Sequence, residues 1–78
     1  MGEETTLSPL AYNLRFLRKK HKMSQTALAE SLGIRRSNEA AYESKNVEPR
    51  LRILLQIGDY FNIAIRTLIE ERLDDTSY

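Results

Sequence analysis

The chain has 78 residues, with 12 Lys and Arg against 11 Asp and Glu, one histidine and no cysteine. That length holds one domain with a thin core, and the absence of cysteine excludes disulfides and thiolate metal sites and suits a reducing cytoplasm. A single histidine, His21, builds no metal cluster or histidine dyad, and apolar runs such as Ile53-Leu54-Leu55 are far too short to cross a membrane.

Residues 1–7 read as a flexible, largely acidic and polar tail without the pattern of a secretory signal. Ser8-Pro9 opens the first helix, because serine caps and proline at the first helical position sacrifices no hydrogen bond. Leu10, Leu14, Leu17 and His21 run down one face of that helix, which is expected to end near Lys22. Tyr12 and Phe16 stand one turn apart on the opposite face. As exposed aromatics they read either as a protein-contact surface or as scattered surface residues. The cluster Arg18-Lys19-Lys20-His21-Lys22 raises the local potential, but cations at a helix C-terminus are also explained by the helix dipole.

Ser24 caps a second helix over Gln25 to Leu32, with Leu28, Ala29 and Leu32 on its buried side. Gly33 then takes positive φ without steric cost, so the chain turns sharply. A third helix is expected from Arg36 to Ser44. The polar link from Lys45 to Arg50 contains Pro49, which reads as a start signal for a fourth helix over Leu51 to Phe61. Gly58 inside that helix costs about 1 kcal/mol relative to alanine, so close packing is expected there. A fifth helix should run from Ile65 to Leu73, mixing core contacts with a dimer face at Ile65 and Ile69, and residues 74–78 should fray. With no period-two alternation anywhere, the fold class is all-α: one compact five-helix domain over residues 8–73.

Charge is uneven along this chain. Residues 15–52 carry ten Lys or Arg against four Glu, while both ends are net acidic. A basic middle between acidic ends suits a protein that turns one face to a polyanion, although solvated surface charge gives the same pattern. Helix, glycine turn and second helix is the layout of a helix-turn-helix, whose second helix can enter the major groove of DNA. On a wheel of about 100° per residue, Tyr42 of the third helix points into the domain. Ser37, Ala40, Ala41 and Ser44 form the opposite, small face, flanked by Arg36. Small residues let a helix sit deep, alanines touch thymine methyls, and Arg36 is the candidate for bidentate bonding to guanine O6 and N7.

Leu14-Arg15-Phe16-Leu17-Arg18, Met23-Ser24-Gln25, Leu28-Ala29, Leu32-Gly33-Ile34, Tyr42-Glu43, Pro49 and Asp59-Tyr60-Phe61 together resemble the phage-repressor/Cro superfamily of helix-turn-helix regulators (the xenobiotic-response-element type). The resemblance covers roughly residues 10–73. It implies a five-helix domain that binds double-stranded DNA at an operator as a homodimer, without cofactor or metal. By position, Arg36 and Ser37 inherit base reading and Ala41 an apolar contact, and Ala40 joins them from the small face of the wheel. Gln25 inherits a phosphate contact, and Arg35, Ser44, Lys45, Asn46 and Arg50 join it at the DNA backbone. Arg18 and Glu43 correspond to a structural ion pair between the first and third helices.

Three positions depart from the family pattern. Lys45 stands where a C-cap glycine is normal, and Ala64 where the fifth helix usually has a capping residue. Glu39 occupies the third position, normally apolar. If it is buried, Arg35 or Arg36 one turn back is the expected partner; if it leans outward, it opposes the phosphates. The leading expectation is a sequence-specific transcriptional regulator, cytoplasmic and nucleoid-associated. The alternative is a repressor-like module whose main partner is another protein, supported by the acidic ends, Glu39 and the Tyr12/Phe16 pair. An enzyme is expected least, for there is neither a catalytic triad pattern nor a glycine-rich phosphate loop.

Overall fold

The computed structural model describes residues 7–76; of the expected tails at 1–7 and 74–78, residues 1–6 and 77–78 lie outside the described residues. Five helices follow one another: α1 (Pro9–Lys20), α2 (Gln25–Leu32), α3 (Arg36–Ser44), α4 (Leu51–Phe61) and α5 (Ile65–Glu70). The all-α expectation holds, and α2, α3 and α4 have the expected bounds because their signals are local. Ser8 Oγ accepts from the Ala11 N–H at 3.1 Å with Pro9 next to it, and Ser24 Oγ accepts from the Ala27 N–H at 3.0 Å.

α1 stops at Lys20 rather than near Lys22. Lys22 takes a left-handed φ of 57°, its N–H donates to the Lys19 carbonyl, and the Met23 N–H reaches back to the Arg18 carbonyl at 2.9 Å. This is a Schellman closure. Gly33 (φ 69°) closes α2 and Asn62 (φ 58°) closes α4 in the same way. Only one of these three helix-closing residues is glycine. Gly58 is explained by close approach: a Cβ there would lie 2.9 Å from the Ile63 carbonyl and 3.5 Å from Ile65.

α5 ends at Glu70, three residues short of expectation. The reason lies on α1, where the fully buried Asn13 replaces the next helical bonds. Its Nδ2 donates to the carbonyls of Leu68 (2.8 Å) and Glu71 (2.6 Å), and its Oδ1 accepts from the Leu73 N–H at 2.8 Å. With Glu71 extended, Leu73 leaves the helix and enters the core instead. It joins Leu10, Leu14 and Leu17 of α1, Leu28 and Leu32 of α2, Ile57 and Phe61 of α4, and Leu68 of α5.

The Tyr12/Phe16 pair is half-buried, correcting the expectation of exposed rings. The two rings stack at 6.4 Å, Phe16 packs on the core, and cations cover them: Arg72 over Tyr12 and Lys20 over Phe16. The His21 ring lies against Phe61 at 5.1 Å, so it does close the apolar stripe. Ile65 is half-buried and Ile69 exposed. Lys20 reaches Asp75 at 3.2 Å, which ties down part of the segment expected to fray.

Candidate nucleic-acid interface

α2 and α3 meet at Gly33, and α3 also packs on α1. Arg35, Arg36, Ser37 and Asn38 are exposed in succession, and Arg35 offers no side-chain cap to the helix behind it. The free N–H groups of the first turn and two guanidiniums therefore share one small surface, favourable to an anion. Ala40 and Ala41 are half-buried further along α3.

The residues expected at phosphates fall into two clefts and a loop. Arg35 and Arg50 line one cleft of about 350 Å³ with Asn38, Tyr42 and Arg52. Three arginines thus line the cleft between the starts of α3 and α4. Gln25 and Ser44 line the other, of about 440 Å³, with Arg15, Lys19 and Glu43. Sequence reasoning assigned no site role to Arg52 or Arg15, whose signal was membership of the basic middle segment, and read Lys19 within the cationic cluster at the end of α1. Lys45 and Asn46 form the exposed loop after α3. Asn46, at φ 53°, turns its Oδ1 to the Ser8 N–H at 2.8 Å, and the Ser44 hydroxyl donates to the Ala40 carbonyl at 2.8 Å. Each of these two side chains therefore spends one polar atom inside the domain.

The Arg18–Glu43 pair forms as expected and anchors α3 on α1. Arg18 Nε donates to Glu43 Oε2 at 2.8 Å and its Nη2 to Oε1 at 3.1 Å, while Nη1 reaches the Met23 carbonyl at 2.9 Å. Gln25 Nε2 adds a 3.5 Å contact to Oε1. The bond to Glu43 raises the Arg18 pKa against the pull of burial. Burial by itself would raise Glu43, but the hydrogen bond from Arg18, the one from Glu39, the Arg18 charge and Gln25 together hold it below the usual carboxylate range.

Glu39 corrects the sequence expectation. It is buried, at 0% exposure, yet neither Arg35 nor Arg36 pairs with it, because both extend to solvent. Neither carboxylate oxygen receives a hydrogen bond. Burial, then a hydrogen bond to Glu43 and that residue's charge, push its pKa up to about 8, against weaker opposing pulls from Arg18 and Arg36. The two observations agree once the acid is neutral: a carboxylate cannot donate to Glu43, but a carboxylic acid can.

α4 carries an exposed apolar edge that the sequence reading did not separate from the core. Leu51 is 65% exposed and Leu55 47%, and Val47, in the loop before α4, is also 47% exposed. No helix among the described residues is long and apolar enough to cross a membrane.

Residues 11–71 match the model of the helix-turn-helix domain family. A curated relative from Bacillus subtilis (strain 168), the uncharacterized HTH-type transcriptional regulator YobD, is 35% identical over 52 residues. That match takes in 67% of this chain but 46% of the relative, so the chain spans less than half of that protein's length. Among solved structures, the P22 c2 repressor in complex with a synthetic operator superposes with a TM-score of 0.74 at 26% identity, covering 85% of this chain and 97% of the repressor. The restriction-modification controller protein C.AhdI from Aeromonas hydrophila gives a TM-score of 0.69 at 27% identity, covering 80% and 94%.

Proposed function

This chain belongs to the helix-turn-helix domain family, within the phage-repressor and Cro group of DNA-binding transcriptional regulators, and from that membership we propose that it reads a short palindromic operator as a homodimer. In this reading α3 enters the major groove. Arg36 binds a guanine edge, Ser37 reads beside it, and Ala40 and Ala41 supply apolar contact to thymine methyls. Gln25, Arg35, Ser44, Lys45, Asn46 and Arg50 hold the phosphate backbone, and Arg52 joins them from its place in the arginine-lined cleft. Such contacts position the protein without reading sequence and make affinity salt-dependent.

The observation that carries this reading is the exposed start of α3, from Arg35 to Asn38, on a helix tied to α1 by the Arg18–Glu43 clamp. A dimer places two such helix starts about one helical turn of DNA apart, with Ile65 and Ile69 in the contact between protomers. The protein works in the cytoplasm, on the nucleoid. A second reading, a module for a protein partner, draws on the exposed Val47, Leu51 and Leu55.

Selection from randomised duplex DNA, followed by anisotropy at two salt concentrations, tests the proposal. The expected result is a palindrome with half-sites one turn apart. Arg36→Ala should then relax one base position, at a cost of about 1–3 kcal/mol. Failure to enrich any sequence, with weak binding abolished by moderate salt, would move the weight to the protein partner.

A further inference from the structure

Two carboxyl groups lie one turn apart on the buried face of α3, and one guanidinium, that of Arg18, is bonded to the second of them alone. Arg18 of α1 is already bound in bidentate fashion to Glu43. α2 offers only the neutral amide of Gln25, and that also goes to Glu43. On α3 itself, Arg36 acts on Glu39 only through its charge, from an exposed position. Those are the charged and titratable groups facing Glu39 among the described residues, and they leave both of its oxygens without a donor.

An ionised carboxylate in that place would be desolvated and uncompensated, at a cost that drives such groups to neutralise instead. As a neutral acid Glu39 has one O–H to give. The Glu43 carboxylate one turn away is the acceptor that burial and proximity provide. The buried group then carries one positive and one negative charge, Arg18 and Glu43, with Glu39 as a neutral donor to Glu43.

We propose that Glu39 is a positioning residue: its proton, donated to Glu43, seats α3 against α1, and loss of that proton loosens α3 and weakens DNA binding. The proposal rests on the DNA-binding reading above for its functional consequence, but the seating is a property of the folded chain alone. The direction of the pKa agrees, since burial and Glu43 hold the Glu39 proton to about pH 8. Mildly alkaline solution would then place two buried negative charges beside a single guanidinium. The helix that bears Arg36 and Ser37 is the element they would push outward.

Anisotropy with the duplex selected above, between pH 7 and pH 9, compares the 78-residue protein with Glu39→Gln, which keeps an N–H donor toward Glu43 but cannot ionise. If only the protonated form is competent, the apparent Kd of the wild-type protein rises about tenfold over that range, while the Gln variant stays flat. The two proteins differ at position 39 alone, so a difference in their pH dependence belongs to that position. The same pH dependence in both proteins overturns the proposal. Binding to no duplex at pH 7 would count against the DNA reading alone. A carboxyl NMR titration of the wild-type protein without DNA decides the seating in either case. Glu39 should titrate above pH 7 with α3 amide signals moving at the same midpoint, and titration in the ordinary carboxylate range would refute it.

Discussion

Replacing Glu43 with alanine tests the clamp that orients α3. The substitution removes two of the three hydrogen bonds Arg18 makes, those at 2.8 and 3.1 Å, and leaves the 2.9 Å bond to the Met23 carbonyl. Breaking a buried pair from one side typically costs about 3–5 kcal/mol, because a charge stays behind without compensation. Arg18 is 12% exposed and borders the cleft of about 440 Å³, so water can reach the freed guanidinium. The low end applies, about 3 kcal/mol. In a domain of this size that lowers the thermal midpoint by roughly 12–24 °C. Urea and thermal unfolding followed by far-ultraviolet circular dichroism measure it, at a pH near 6. One compensation is open: once Glu43 is gone, Glu39 is the nearest carboxyl to Arg18 on the same face. In a Glu39→Leu background that substitute is absent, and the loss should be at least as large. An unchanged midpoint in both backgrounds would refute the clamp.

Asn13→Ala removes three buried hydrogen bonds and frees Leu73 from the core. It should cost about 2–4 kcal/mol in urea unfolding, and a loss below about 0.5 kcal/mol would mean that α5 does not depend on Asn13. Gly58→Ala gains about 1 kcal/mol of helix propensity but drives a Cβ to 2.9 Å from the Ile63 carbonyl, which is backbone. Overpacking of this kind costs about 1–3 kcal/mol, so the variant should be less stable, and a raised midpoint would contradict the close approach. Stability should also vary with pH in a set direction. The Glu39 pKa is raised from 4.5 to about 8, so the unfolded chain releases its proton first and stability falls as pH rises between those values. The Glu43 pKa is lowered from 4.5, so its contribution is present above that value and is lost as pH falls through the folded one. Urea midpoints should therefore peak in mildly acidic solution, and Glu39→Gln should remove the decline on the alkaline side.

Much of the fold was legible because its signals are local. Ser8-Pro9, Ser24, Gly33 and Pro49 each act within one turn of where they stand, so the starts of α1, α2 and α4 and the turn between α2 and α3 followed from neighbours in the chain. The apolar spacing of Leu10, Leu14 and Leu17, and of Leu28 and Leu32, placed those side chains in the core for the same reason. Lys22 and Asn62 were less visible. Both take the left-handed conformation that glycine adopts freely, and for a lysine nothing local announces it. The ring stack of Tyr12 and Phe16 looked exposed on a wheel because Arg72, which covers Tyr12, arrives from the other end of the chain.

The pairing of Arg18 with Glu43 was implied by the family resemblance, whereas the sequence by itself determined the helix-turn-helix and the basic middle of this protein. These depend on caps, spacing and residue type, which are written in order along the chain. Tertiary structure alone decided three things. It ended α5 at Glu70, because Asn13 of α1 satisfies the backbone there. It drew Arg52 into a cleft with Arg35 and Arg50. It turned Glu39 inward without a partner, because the guanidiniums one turn back extend to solvent while the only one within the core is bound to Glu43. A carboxylate's partner is set by where the surrounding helices pack, and that distance is not written in the spacing of residues along one helix.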